Sequence, residues 1–387
     1  MKLTKVLALI LCMTLLMLSP VGCADAGDDD DPEIVDTVDP EDPVDDVHIH
    51  DENCGHLSVD FDEALSFFPP DTVMLSSGSI KITWAELYAF LFGMASNLVQ
   101  AYGADLDWNE PFDVNVTLAD AVLEFATEEA LSFMAISYGI NSLGLTLSND
   151  DLEEFNEFFN SLIEEYGGRE AFEYTLRTNG GFYNLDVFEN LYKIEFSLGV
   201  IINDLYGDEA SSFPDERVAE YASQNGYMMA MHILRTKTED DTALTEAEDI
   251  LAQLEEHLDS DELVEIFKEL MLEHSEDTGG LMSYPEGYLF QHSDMVEPFS
   301  DACAELEIGQ LSGIVESAFG YHIILRMPID YDSTPISFSY EGIYRTLRQH
   351  VAYMEFDNLQ QEWRNALNLE FSPEYNSIDL AVIFKVN

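Results

Sequence analysis

The chain has 387 residues, and 77 Asp and Glu against 15 Lys and Arg give it a formal charge of −62. That sign excludes nucleic acid as a partner, because binding phosphate needs positive charge, and it excludes electrostatic docking to anionic lipid. With 47% apolar residues, including 24 Phe, the composition still holds ample material for packed cores, while the acidic surface favours basic unfolded chains or divalent cations.

Lys2 and Lys5 precede an apolar run from Val6 to Leu18 that is too short to span a bilayer permanently. It ends at Ser19-Pro20-Val21-Gly22-Cys23, which resembles a bacterial lipoprotein cleavage box, with Pro20 where Leu is usual. Read so, residues 1–22 are a signal peptide and Cys23 becomes the lipid attachment point. The other reading is an ordinary secretory signal with an incidental cysteine. Multiple acyl chains anchor a protein stably without a transmembrane helix. Residues 23–76 read as an acidic disordered tether. Asp28 to Asp31 open it, and no base occurs between Lys5 and Lys81. Such a segment cannot bury enough apolar surface to fold, and its like charges keep it extended. Within it, His48, His50, Cys54 and His56 could meet a metal ion, but their spacing matches no closed structural site, so no metal is expected. Cys54 and Cys303 lie too far apart in sequence and context to suggest a disulfide framework.

Residues 77–225 read as helical. Thr83-Trp84-Ala85-Glu86 has the pattern of a capping box and opens an apolar-periodic run to about Ala104. Thr117 starts a second helix that ends near Gly144, and Ser148 a third that stops at Gly167-Gly168. Arg169 to Thr178 is a short fourth. Leu185 to Leu205 is a long fifth, with Val187, Leu191, Ile194, Leu198, Ile201 and Leu205 on one stripe. Phe213-Pro214-Asp215 opens a last short helix.

The segment 226–329 changes character. Met228 to Arg235 is an apolar run with one histidine, His232, and Phe319 to Leu325 is another with His322; both read as buried strands. Between them lie His274-Ser275-Glu276-Asp277, Gly287-Tyr288-Leu289-Phe290, Met295-Val296-Glu297-Pro298-Phe299 and Gly309-Gln310-Leu311-Ser312-Gly313. In this order the landmarks resemble a parvulin-type peptidyl-prolyl isomerase domain. The resemblance implies a catalytic floor of His232 and His322, with Asp277 facing the substrate amide. It implies a proline socket made by Leu289, Phe290, Met295 and Phe299. Met295 and Phe299 are four apart and would share a face if helical. The residues alone also fit ordinary core packing, and Asp277 alone fits a helix cap. Phosphate-directed relatives carry a basic cluster after the first strand, but here Arg235-Thr236-Lys237-Thr238 runs into Glu239-Asp240-Asp241. Bond rotation needs no cofactor, and no nucleophile elbow or phosphate loop is present.

Residues 330–387 continue with an apolar period from Tyr340 to Leu369, a helix expected to pack back on the helical part. A helical lobe built from both chain ends with an inserted parvulin domain makes the expected class α+β, with a small antiparallel sheet flanked by helices. That arrangement resembles the PrsA- and SurA-type extracytoplasmic foldases. It implies an isomerase that assists newly exported, unfolded polypeptides containing X-Pro bonds and that meets the membrane only through its lipid. A holdase whose parvulin-like domain binds peptides without catalysis is the alternative.

Overall fold

The structure is a computed structural model, and it describes residues 67–102, 107–237, 242–340 and 345–384, without the side chains of 99–102, 339 and 340. The export signal, Cys23, the tether as far as residue 66 and the His48/His50/Cys54/His56 cluster lie outside the described residues. The chain divides into two units, Met1–Ile202 with Asn358–Asn387, and Asn203–Asp357.

The first unit draws on both ends of the chain. Strands β1 (Val73–Ser77) and β2 (Ile80–Thr83) form a hairpin, and it leads into α1 (Trp84–Tyr102). The Thr83–Glu86 box closes as expected, with the Thr83 amide donating to Glu86 Oε2 at 2.7 Å. A small β3 (Pro111–Asp113) and β4 (Val116–Thr117) hairpin precedes α2 (Leu118–Leu143). Thr117 and Asp120 cap α2 reciprocally, and Gly144, at φ 65°, ends it in the left-handed region. Helices α3 (Asn149–Glu165), α4 (Arg169–Gly180) and α5 (Leu185–Tyr206) follow. Their aromatic faces share one core with Trp84, Leu87 and Leu91 of α1, and Leu380, Ile383 and Phe384 near the C-terminus join it.

Two features differ from expectation. The hairpin strand Val73–Ser77 begins inside the segment assigned to the tether, where Met74 and Leu75 are fully buried. Its alternation is short, and its outer partner is β9 (Glu370–Phe371), which pairs Leu75 with Phe371. No local pattern reveals a partner almost three hundred residues away. The single helix expected over Tyr340 to Leu369 is instead α11 (Ile336–Tyr340) and α12 (Leu347–Asn365), and the chain is already a strand at Glu370.

The second unit contains α6 (Asp215–Gln224), then β5 (Met228–Thr236), α7 (Thr242–Glu255), α8 (Leu263–His274), α9 (Thr278–Ser283), β6 (Tyr288–Phe290), α10 (Glu297–Glu305), β7 (Val315–Glu316) and β8 (Gly320–Met327). The strands form an antiparallel sheet in the order β6-β5-β8-β7. Successive strand residues face opposite ways, so β5 feeds two cores. Met231 and Ile233 pack with Ile250, Leu254 and Phe267 of α7 and α8. Met228 and Ala230 pack with Phe299 and Cys303 of α10 on the other face. The expected fold class, a helical lobe from both chain ends with an inserted small-sheet domain, holds.

Candidate active site

Strand register sets the geometry. His232 pairs with Ile324 and Leu234 with His322, so the two histidines are diagonal neighbours on the α10 side of the sheet. Their rings lie 5.4 Å apart and nearly parallel. The two Nδ1 atoms are 3.1 Å apart, and both residues are buried.

Asp277 arrives from the opposite side as the N-cap of α9. Its Oδ1 accepts the Gly280 amide at 3.0 Å. Its Oδ2 accepts from His232 Nε2 at 2.8 Å and from the Tyr288 hydroxyl at 2.7 Å. One carboxylate therefore caps α9 through Oδ1 and reaches His232 and Tyr288 through Oδ2. A Cβ at position 280 would push aside the Tyr288 hydroxyl and the Asp277 carboxylate, so glycine there leaves room for their hydrogen bond.

These contacts fix the direction of every proton in the line. An ionised carboxylate only accepts, so His232 donates through Nε2 and, when neutral, offers Nδ1 as an acceptor. His322 then donates through its Nδ1, which leaves its Nε2 to accept the Ser317 hydroxyl at 2.7 Å. The Ser317 oxygen accepts the Phe319 amide at 3.0 Å. Each polar group in the line is satisfied with both imidazoles neutral and Asp277 negative. The electrostatics agree. Burial, and then the neighbouring His232, push the His322 pKa down to about 4. The His232 hydrogen bond holds the Asp277 carboxyl well below the usual carboxylate range, assisted by Tyr288 and the Gly280 amide and opposed by burial.

Phe299 stands edge-on over both imidazoles, its centroid 5.2 Å from His232 and 5.5 Å from His322. Phe290 lies behind it at 5.7 Å. Phe290 is fully buried and Phe299 is 2% exposed, so both shape the floor more than they offer surface. Met295 is half-buried against the same cluster.

Two expectations need correction. Leu289 is no part of the socket: it pairs with Met229 and packs with Val218 and Val351 on the other face of the sheet. In a strand the neighbour of a site-facing Phe290 must point away. Met295 and Phe299 do not share a helix, because α10 begins at Glu297 and Met295 is extended, at φ −117° and ψ 166°.

Tyr288, Ser317 and Gly280 were missed. Their signal was faint. Each is a polar or glycine residue next to an apolar run, and only the third dimension shows that it closes the line. The two bases at the end of β5 are engaged, Arg235 by Glu246 and Glu276, and Lys237 by Glu316 at 2.8 Å and by the Ser317 carbonyl at 3.1 Å. Neither is left to grip a phosphate.

Chemically, the arrangement is suited to easing rotation about an amide bond. Twisting an amide abolishes its resonance and the charge separation that resonance carries. A floor of paired imidazoles and buried phenyl rings would favour the less polar twisted form over the planar one.

Residues 232–327 match the family model "Rotamase: PPIC-type PPIASE domain". The match begins on the first site histidine and ends with the strand that carries the second. Over these residues the chain is similar to PPIC-type rotamase domains. The activity class that goes with it is peptidyl-prolyl cis-trans isomerisation. Over 312 residues the chain is 25% identical to the foldase protein PrsA of Clostridium tetani, a match covering 76% of this chain and 84% of that one. Over 129 residues it is 36% identical to the putative peptidyl-prolyl cis-trans isomerase Cbf2 of Campylobacter jejuni, covering 33% of this chain and 44% of the relative. A crystal structure of a peptidylprolyl isomerase (PrsA) from Bacillus cereus aligns at 18% identity and a TM-score of 0.29, covering 72% of this chain and 100% of that one. Among the described residues of the rotamase domain and the rest of the chain, no helix is long and apolar enough to cross a membrane.

Proposed function

We propose that the chain is a lipid-anchored isomerase working outside the cytoplasmic membrane, where it speeds the folding of exported polypeptides at their X-Pro bonds. His232, His322 and Asp277 make the polar floor, Phe290 and Phe299 back it, and Met295 supplies the accessible apolar contact for the proline ring. The observation that carries the catalytic part is the fully satisfied line from Ser317 through His322, His232 and Asp277 to Tyr288. Such a line fixes both rings against an apolar backing, and burial keeps the His322 imidazole from taking up a proton until well below neutral pH. Uncatalysed prolyl isomerisation takes tens to hundreds of seconds, slow enough to limit folding, so a foldase gains by shortening it. The anchor rests on the Gly22-Cys23 junction and the short apolar run before it. In this reading the helical unit, residues up to 202 and from 358 on, holds the unfolded client, and the unit 203–357, which also takes in 203–225 and 330–357 of the segments expected in the lobe, turns the bond.

A proline-peptide isomerisation assay on the full chain tests the proposal. Acceleration should be lost in His232→Ala, which also strands Asp277 and His322 at a cost of about 1–3 kcal/mol to the domain. A wild-type chain that binds proline peptides without accelerating them is a holdase, and the catalytic reading falls. Intact mass after expression in a lipidating host checks Cys23; an unmodified N-terminus rules the anchor out.

A further inference from the structure

The hairpin β3–β4 and the start of α2 carry an exposed aromatic patch that folding does not explain. Phe112 is 55% exposed, Val114 at the hairpin turn is 82% exposed, and Phe125 on α2 is 50% exposed. The two phenyl rings meet edge to face, with centroids 6.3 Å apart. Phe125 lies exposed beside the polar stripe of α2 made by Asp120, Glu124, Glu128 and Ser132. Trp108, just before the hairpin, does turn into the core, where it is 4% exposed. Local sequence could therefore have buried an aromatic residue here, and Phe112 is instead held against another exposed ring. Isolated apolar side chains on a surface need no explanation, but contiguous ones mark contact sites.

The surroundings say what fits. Glu110, Asp113, Asp120, Glu124 and Glu128 all lie exposed around the rings. No Lys or Arg occurs between Lys81 and Arg169. Glu128 is engaged by Arg364, whereas Glu110 and Glu124 hold no ion pair among the described residues. A second copy of this chain, at −62, would be repelled, and so would an anionic membrane. We infer that this patch binds an extended polypeptide segment that presents Phe- or Leu-type side chains flanked by Lys or Arg. The occupant is the unfolded client itself. The rings take its apolar side chains, Glu110 and Glu124 pair with its flanking bases, and the two-stranded hairpin, which forms a sheet of its own, offers strand edges for backbone pairing. This deepens the folding-assistance reading and rests on it.

The test is fluorescence anisotropy of a labelled proline-free peptide with two Phe between Lys residues, measured on the full chain. The same peptide with Glu in place of Lys is the control. Phe112→Ser/Phe125→Ser should weaken binding at least about tenfold, as loss of aromatic anchors does, with the thermal midpoint unchanged because both rings are exposed. Glu110→Gln/Glu124→Gln should weaken the Lys peptide and narrow its advantage over the Glu peptide. Equal binding by wild type and the double Phe variant, or equal binding of both peptides by wild type, overturns the inference. Isomerisation of a short proline peptide is followed in the same variants. If wild type lacks that activity the catalytic proposal fails, while the patch still stands or falls on the anisotropy alone.

Discussion

The helical unit and the rotamase unit each half-bury a carboxylate, and they treat it in opposite ways. Asp277 in the rotamase unit is met by three donors, His232, Tyr288 and the Gly280 amide, and its carboxyl is held well below the usual range. Glu195, on α5 of the helical unit, is met by burial and then by Glu129, and its pKa is pushed up to about 7. Glu129 shifts up too, through burial and then Glu128. Burial alone always favours the neutral acid, and only donors reverse it. One unit has built a site around a charge; the other has tolerated a carboxylate that is easier to keep protonated.

The largest expected difference between the units comes from removing a ring that belongs to one of them. Phe299→Ala should cost about 3–5 kcal/mol, as truncation of a buried phenyl does. It should also remove isomerase activity by unseating both imidazoles. All three tryptophans, Trp84, Trp108 and Trp363, lie in the helical unit, so tryptophan fluorescence reports that unit alone. Chemical unfolding followed by hydrogen exchange at β5 and β8 should shift while the tryptophan transition stays put. A shift of both together would mean the two units unfold as one. Met295→Ala, half-exposed, should raise KM with a much smaller loss of stability. If it costs as much as Phe299→Ala, Met295 is core.

Next in size is pH, where the units should move in opposite directions. Glu195 titrates near 7 in the folded chain and near 4.5 when unfolded. The native state therefore holds the extra proton between those values, and the helical unit loses stability as pH rises through 4.5 to 7. His322 titrates near 4 when folded and near 6.5 when unfolded. The native state then holds fewer protons, and the rotamase unit loses stability as pH falls from 6.5 to 4. Protonation of Asp277 deepens the loss further down. Each window is worth on the order of 3 kcal/mol. Hydrogen exchange read separately on α5 and on β8 across this range should give slopes of opposite sign. Glu195→Gln should flatten the first slope, leave the second, and stabilise the helical unit above pH 7. Parallel slopes in the wild-type chain would dispose of the contrast.

How far the sequence led also differs between the units. In the rotamase unit the two histidines, Asp277 and the α+β plan were legible, because strand periodicity and the order of landmarks are local. Leu289 was misplaced for an equally local reason: alternation sends it to the far face, and the face of β6 is set by its pairing with β5. In the helical unit the caps at Thr83, Thr117 and Ser148 were readable, since each depends on residues three apart. The β1–β9 pairing was not, because its halves come from opposite chain ends. Tyr288 and Ser317 escaped for a third reason. A hydroxyl beside an apolar run looks like an ordinary surface residue until its partner is placed.

The smallest effect falls on Tyr288, and it is the most discriminating. Tyr288→Phe keeps the ring, and with it the packing against Tyr284 at 4.9 Å, and deletes only the hydroxyl that donates to Asp277 Oδ2. His232 and the Gly280 amide still satisfy the carboxylate, so the stability cost should be about 1 kcal/mol. Asp277 would nevertheless lose one of the donors that hold its pKa down, so it should protonate at higher pH. Once protonated, it no longer fixes the donor direction of His232, and the line through His322 to Ser317 loses its single polarity. The lower part of the acid limb of the kcat/KM profile, below the His322 step, should therefore move to higher pH in Tyr288→Phe, with the plateau at neutral pH little changed. A purely structural tyrosine would lower the plateau and leave the limb where it was, and that outcome would return Asp277 to the role of a helix cap.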